Sequence, residues 1–202
     1  QNVIVIDAGG TNLRTCLVTF DDNLKPVISE FKKVSMPGID REVSAKEFFS
    51  VFANQVEHII DKSDSIGFCF SYAAKISEDN DGIPLVFSKE IKAPEVIGKK
   101  VGLSLLEELE SRGYSVKNKR IAVVNDTVTT LLAGRAQGNL NYDGYVGFIL
   151  GTGTNTAYLE DTNKIKKLKH SNLDYMVINV ESGSYAFSNG KIDDLFLSTT
   201  KD

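Results

Sequence analysis

Two separated stretches in this 202-residue chain combine glycine with hydroxyl-bearing residues, each directly after a short apolar run. The first, residues 7–14, reads Asp-Ala-Gly-Gly-Thr-Asn-Leu-Arg; the second, residues 151–155, reads Gly-Thr-Gly-Thr-Asn. A loop leaving a strand can aim backbone N–H groups at phosphate oxygens only where side chains stay small, and Gly9, Gly10, Gly151 and Gly153 permit that approach. Thr11, Thr152 and Thr154 add hydroxyl donors, and Arg14 adds a cation. One such loop alone would read as a hairpin turn. Two of them suggest a clamp for a nucleotide.

A second kind of chemistry is offered by Asn125 and Asp126, which follow the apolar run of residues 121–124. A carboxylate just past a strand end projects into a cleft, where it can serve as a general base. Read alone, the same Asp would cap the helix that follows it.

The rest of the composition narrows the partners. A net charge of −4 supplies no basic stripe for nucleic acid or an anionic membrane. Cys16 and Cys69 sit inside apolar runs and read as buried thiols in a reducing compartment rather than as a disulfide or metal pair. His58 and His170 have no partners at ligand spacing and read as structural or solvent-exposed. The apolar stretches are shorter than a membrane span and no signal peptide opens the chain, so a cytoplasmic enzyme is expected.

These residues need elements to hold them. Strands are expected over 3–6, 13–20 and 27–34, joined by short turns. Ser44 with Glu47 three residues on makes a capping box, and Phe48, Phe52, Val56, Ile59 and Ile60 recur at helical spacing, which predicts a helix over 45–61. A strand over 66–70 follows, then an irregular excursion over 77–98. A helix over 101–112 has Gly113 placed to terminate it, and a strand over 121–124 comes next. After Asp126 the pattern restarts with a helix over 127–137 and strands over 145–150, 156–159 and 176–180. Three strands, helix, strand, helix, strand is the ribonuclease H-like order, and a second copy begins near Asn125. The expected division is a first domain over 1–124 and the opening half of a second over 125–202.

Taken in order, the motifs resemble the hexokinases of the actin-like ATPase superfamily. Residues 7–14 are similar to that family's first phosphate loop, with Ala8 where the family usually has Leu. Residues 87–101 are similar to its sugar-loop segment, with Ser88 and Lys89 in place of a Thr and Lys pair. Residues 123–133 match its catalytic segment, residues 151–155 its second phosphate loop, and residues 178–183 its glucose-contacting Ile-Asn-X-Glu-Trp-Gly. Two departures flank the sugar site. Ser182 replaces the motif's Trp, and residues 70–73 read Phe-Ser-Tyr-Ala where the family has Phe-Ser-Phe-Pro.

The resemblance implies a doubly built α/β fold of ribonuclease H-like, actin type, with nucleotide and sugar in the cleft between two domains. It implies ATP and Mg²⁺ as cofactors and a hexose as substrate. Gly9, Gly10, Thr11, Asn12, Arg14, Gly151, Thr152, Gly153 and Thr154 would hold the nucleotide, and Asp7 would face Mg²⁺ through water. Asp126 would be the base, with Lys89 neutralising charge on the moving phosphoryl group. Ser71, Ser88, Asn125, Asn155 and Glu181 would read sugar hydroxyls. Without the resemblance, Lys89 reads as solvated surface, Asp7 and Asn155 as turn residues, and Glu181 as a surface carboxylate.

The expected activity is transfer of the γ-phosphoryl group of MgATP to a hexose 6-hydroxyl, with this chain as the N-terminal half of the enzyme. The chain opens without Met and stops without a helix breaker, which is consistent with a portion of something longer. The alternatives are a non-catalytic sugar sensor, which could dispense with Asp126, and an actin-like assembly subunit, which would need no sugar set.

Overall fold

The computed structural model describes residues 2–23, 25–87, 91–136, 142–151, 154–168 and 172–181. The chain opens with strands β1 (Val3–Ala8), β2 (Asn12–Phe20) and β3 (Pro26–Ser35), then helix α1 (Ala45–Val56) and strand β4 (Ser65–Phe70). Two short strands, β5 (Ala74–Ile76) and β6 (Gly82–Pro84), precede helix α2 (Val101–Ser111) and strand β7 (Arg120–Val124). Helix α3 (Asp126–Ala136) and strands β8 (Val146–Leu150), β9 (Thr154–Asp161) and β10 (Tyr175–Asn179) complete the sequence of elements.

The first sheet has five strands in the order β3-β2-β1-β4-β7. Strands β1, β2 and β3 pair antiparallel, whereas β4 lies parallel to β1 and β7 parallel to β4. Period-two alternation decides which side chains meet the core. Ile4, Ile6 and Ala8 of β1, Leu13 of β2 and Phe68 and Phe70 of β4 point to one face, where Phe48 and Phe52 of α1 and Leu105 and Leu109 of α2 cover them. The intervening positions Asp7, Arg14 and Cys69 are partly open to solvent on the other face.

Local signals account for the helix ends. Ser44 and Glu47 form the expected capping box, with Glu47 N–H donating to Ser44 Oγ at 3.2 Å and Ser44 N–H to Glu47 Oε2 at 3.1 Å. Gly113 adopts φ +91°; its N–H donates to Glu110 O, and Tyr114 N–H donates to Leu109 O, the paired bonds of a Schellman terminus. Helix α1 stops at Val56 rather than at residue 61. Ile59 leaves helical geometry and a 3₁₀ turn over Ile60–Lys62 buries Ile59 and Ile60 completely, so the apolar spacing serves a turn that feeds β4. Lys119 Nζ donates to Ile60 O at 2.6 Å and Ser63 O at 2.8 Å, satisfying carbonyls at that turn.

The expected irregular excursion over 77–98 contains the turn and second strand of an antiparallel ribbon, β5–β6, whose first strand precedes it. Its turn carries Asp81, 3% exposed, whose carboxylate accepts from Gly102 N–H and Leu103 N–H of α2 at 2.8 Å each and from Gly82 N–H at 2.7 Å. Lys100, at the N-cap of α2, makes no side-chain cap bond. A carboxylate delivered from the ribbon therefore does the capping.

The second sheet is antiparallel in the order β10-β9-β8, and α3 lies against it. The approach is close at Gly147, where a Cβ would stand 2.6 Å from Thr127 O and 2.9 Å from Leu131 Cβ. On the opposite face of β8, Val146, Phe148 and Leu150 form an exposed apolar row. Among the described residues no helix is long and apolar enough to cross a membrane.

Replacing Asp81 by Ala orphans three N–H groups that it now satisfies. The expected loss, read by denaturant unfolding, is about 3 kcal/mol, with a smaller loss for Asp81→Asn. A loss below about 1 kcal/mol would show that α2 is capped by other means.

Candidate active site

Strands β1, β4 and β7 run parallel, so their C-terminal ends, Ala8, Phe70 and Val124, reach one edge of the sheet. The residues that follow converge there: Gly9, Gly10 and Thr11 after β1, Ser71 and Tyr72 after β4, Asn125 and Asp126 after β7. Ligands of open α/β sheets bind outside this edge. A cleft of about 300 Å³ is lined by Asp7, Gly9, Gly10, Thr11, Asn12, Arg14, Ser71 and Asp126, with Ile149 and Gly151 contributed from β8 and its end. Gly151, which opens the second glycine stretch, thus faces the first loop with Asp126 in the same cleft.

Within the first loop, Gly9 N–H donates to Asn12 O at 3.0 Å and Met36 N–H to Thr11 O at 3.0 Å. A Cβ on Gly9 would lie 3.2 Å from Asn12 O, so the turn is closed as tightly as a side chain allows. Tyr72 Oη donates to Gly9 O at 2.8 Å and lies 3.4 Å from Gly10 O. Asp7 and Arg14 are cross-strand partners on one face, and Arg14 Nη1 donates to Asp7 Oδ2 at 2.7 Å. Asp7, proposed from sequence to face a metal, is thus ion-paired, and the cation expected at the phosphates is held by that pair. Ser71 is buried beside the loop, with its N–H on Ala8 O at 3.1 Å.

Cys69 sits beneath this group, in register with Asp7 on one side and Val124 on the other. Burial first, then the nearby carboxylates of Asp7 and Asp126, push its thiol up to about 12.

At the start of α3, Asn125 Oδ1 accepts from Thr127 N–H at 2.9 Å and Asn125 O from Thr129 N–H at 2.9 Å. This is the N-cap arrangement, so Asn125 supplies the cap and Asp126 is the first helical residue. Asp126 Oδ1 accepts from Thr127 N–H at 2.8 Å and lies 3.2 Å from Thr127 Oγ1.

A second polar group adjoins it. Glu181 Oε1 accepts from Asn179 Nδ2 at 2.8 Å and, at 3.4 Å each, from Asn155 Nδ2 and Asn125 Nδ2. Asn155 Nδ2 also donates to Asn179 Oδ1 at 2.8 Å. Three residues chosen from the sequence, Asn125, Asn155 and Glu181, therefore meet through one carboxylate oxygen. Glu181 itself holds φ +53°. Asn179 was not singled out from sequence, although strand alternation puts it on the face of Glu181, two residues away. Thr154 opens β9 opposite Leu150. Ser88, Lys89, Thr152 and Gly153 lie outside the described residues. Phe87, immediately before Ser88, packs its ring against Phe70 and Tyr72.

Two family models, both described as hexokinase, match this chain over residues 2–136 and 145–201. The chain belongs to the hexokinase family. Hexokinase-2 of Schizosaccharomyces pombe is 33% identical over 198 residues, covering 92% of this chain and 43% of that protein. Hexokinase-7 of Oryza sativa subsp. japonica is 32% identical over 199 residues, covering 91% of this chain and 41% of the relative. The solved structure of the Schistosoma mansoni hexokinase complexed with glucose superposes with a TM-score of 0.74 at 30% identity, over 89% of this chain and 40% of that one. The chain spans about two fifths of the length of these relatives. Its mixed α/β architecture is that of the actin-like ATPase sugar-kinase fold.

A thiol held near 12 instead of 9.0 carries about a thousandfold less thiolate at neutral pH. Iodoacetamide labelling of Cys69 at pH 8, followed by peptide mass spectrometry, is expected to run slower than a free thiol by that order, and faster in Asp126→Asn or Asp7→Asn. Rates unaltered by both substitutions would separate Cys69 from these carboxylates.

Proposed function

We propose that the complete protein carrying this chain is a hexokinase that transfers the γ-phosphoryl group of MgATP to the 6-hydroxyl of a hexose such as glucose, the entry step of glycolysis. The observation that carries this reading is the placement of Asp126 in one cleft with the first glycine loop and with Gly151, where the second begins. Family membership supports the reaction class. We further infer a first domain over 1–124 and the opening of a second from 125 onward. Support comes from β7 ending at Val124 and from α3 packing on β8 through Gly147.

The residues present fit a magnesium nucleotide. A tight glycine turn offers N–H groups, Thr11 a hydroxyl, Arg14 a cation and Asp7 a hard oxygen ligand. Among the described residues no group of three or more His, Cys, Asp or Glu side chains could hold a metal by itself, and Mg²⁺ commonly takes most of its ligands from phosphate and water. When bound, MgATP supplies the phosphoryl group and part of its charge neutralisation. Gly9, Gly10, Thr11 and Asn12 position its phosphates from one side, with Gly151, Thr152, Gly153 and Thr154 on the other. Asn125, Asn155, Glu181, Ser71 and Ser88 orient the sugar by its hydroxyls, a polar set that rejects analogues lacking them. Asp126 takes the proton of the attacking hydroxyl, and Lys89 stabilises the charge that develops. Cys16 and Cys69 are free thiols, which supports a reducing compartment, the cytoplasm.

Asp126→Asn in the complete protein keeps size while removing the proton acceptor. Turnover should fall by roughly two to four orders of magnitude, with sugar affinity nearly unchanged. Because Asn125 holds the cap, the fold should be preserved. Wild-type turnover by this variant would remove the base from the mechanism.

Sugar contacts drawn from both sheets imply closure, since contacts complete only in the closed form supply the differential affinity that a population shift needs. Small-angle X-ray scattering of the complete protein should show a smaller radius of gyration at saturating sugar. An identical profile with and without sugar would contradict closure.

A further inference from the structure

Tyr72 is 2% exposed, and its ring packs between Phe70 and Phe87, with centroid distances of 5.1 Å to each. Its hydroxyl reaches out of this aromatic cluster to the first glycine loop, donating to Gly9 O at 2.8 Å and approaching Gly10 O at 3.4 Å. The Phe-Ser-Phe-Pro pattern that the segment resembles has no hydroxyl at this position. Packing alone would be satisfied by Phe. The hydroxyl therefore does something that the core does not require.

Its effect follows from peptide geometry. In a trans peptide the C=O and the N–H of the same unit point in opposite directions. Holding Gly9 O toward the core consequently turns Gly10 N–H the other way, on the side of the cleft that Gly9, Gly10 and Thr11 line. The longer contact to Gly10 O biases Thr11 N–H in the same sense. Glycine places almost no intrinsic restraint on these peptide planes, so an external hydrogen bond has unusual influence over them. The ring, meanwhile, touches Phe87, the residue that leads into Ser88 and Lys89.

We propose that Tyr72 is a positioning residue: its hydroxyl fixes the direction of the Gly10 and Thr11 N–H groups that receive nucleotide phosphate, and its ring ties that loop to the segment entering Ser88. The assignment of phosphate to these groups rests on the proposed kinase reading. The orientation of the loop does not.

The test is Tyr72→Phe in the complete protein. The variant keeps the ring and restores the residue of the related motif, so it should fold, with a Tm lower by only a few degrees for the one hydrogen bond lost. The expected result is a rise of about fivefold to tenfold in KM for MgATP, the size of one lost hydrogen bond. Sugar Kd should stay within about twofold, since no sugar contact is altered, and amide exchange across residues 8–12 should accelerate without nucleotide present. An unchanged KM for MgATP with unchanged exchange would overturn the proposal. So would a loss of sugar affinity in parallel with a larger fall in Tm, which would mark a general packing role. If the parent protein phosphorylates no hexose, the kinase reading fails separately, and exchange alone decides: faster in Tyr72→Phe supports the tether, equal rates reject it.

Discussion

Because β1, β4 and β7 are parallel and in register, with Asp7 beside Cys69 and Cys69 beside Val124, the chain leaves all three strands at one edge. The polar groups that follow these strands into the cleft are placed by that alignment, and β2 adds Asn12 and Arg14. The glycine loop, Ser71 and the Asn125–Asp126 pair are far apart in sequence but sit within one to four residues of a strand end. The alignment in turn depends on the apolar face, where rings from β4 and α1 interlock. Moving one strand by a residue would send Asp7 or Cys69 into that core.

Much of this was legible because it is local. The capping box of Ser44 and Glu47, the terminating Gly113 and the glycine loops each carry their signal within a few residues, and the strand-helix order followed from periodicity. What escaped reading needs distant partners. Asp81 caps α2 from 21 residues upstream of Gly102, so its residue type in a loop gives no hint of burial. The end of α1 is ambiguous in sequence because Val56, Ile59 and Ile60 fit a helix and a buried 3₁₀ turn equally well. Asn179 and Tyr72 lie inside motifs of the family, yet their roles appear only when β10 meets β9 and when the β4 exit meets the first loop.

The pairing of polar groups also separates tasks within the site. Asn125 is bound by its Oδ1 to the helix it caps and by its Nδ2 to Glu181, so the same side chain joins α3 to β10. Asp126, one residue on, shares the Thr127 N–H through Oδ1 and also lines the cleft. A neighbour held at both ends and a carboxylate anchored through Oδ1 at the cleft are delivered by consecutive residues.

The contact at Gly147 reaches further than its size suggests. Its nearest obstacle is the carbonyl of Thr127, a main-chain atom that no trimming of a neighbouring side chain can withdraw. A methyl group there would have to displace α3 bodily, and Asp126 stands at the end of that helix nearest the contact. The helix acts as a short arm with β8 as its rest, and the height of the carboxylate above the first glycine loop is set where they touch. Sequence drift at this position is thereby closed to single steps, even to alanine, by a residue that contributes no chemical group of its own.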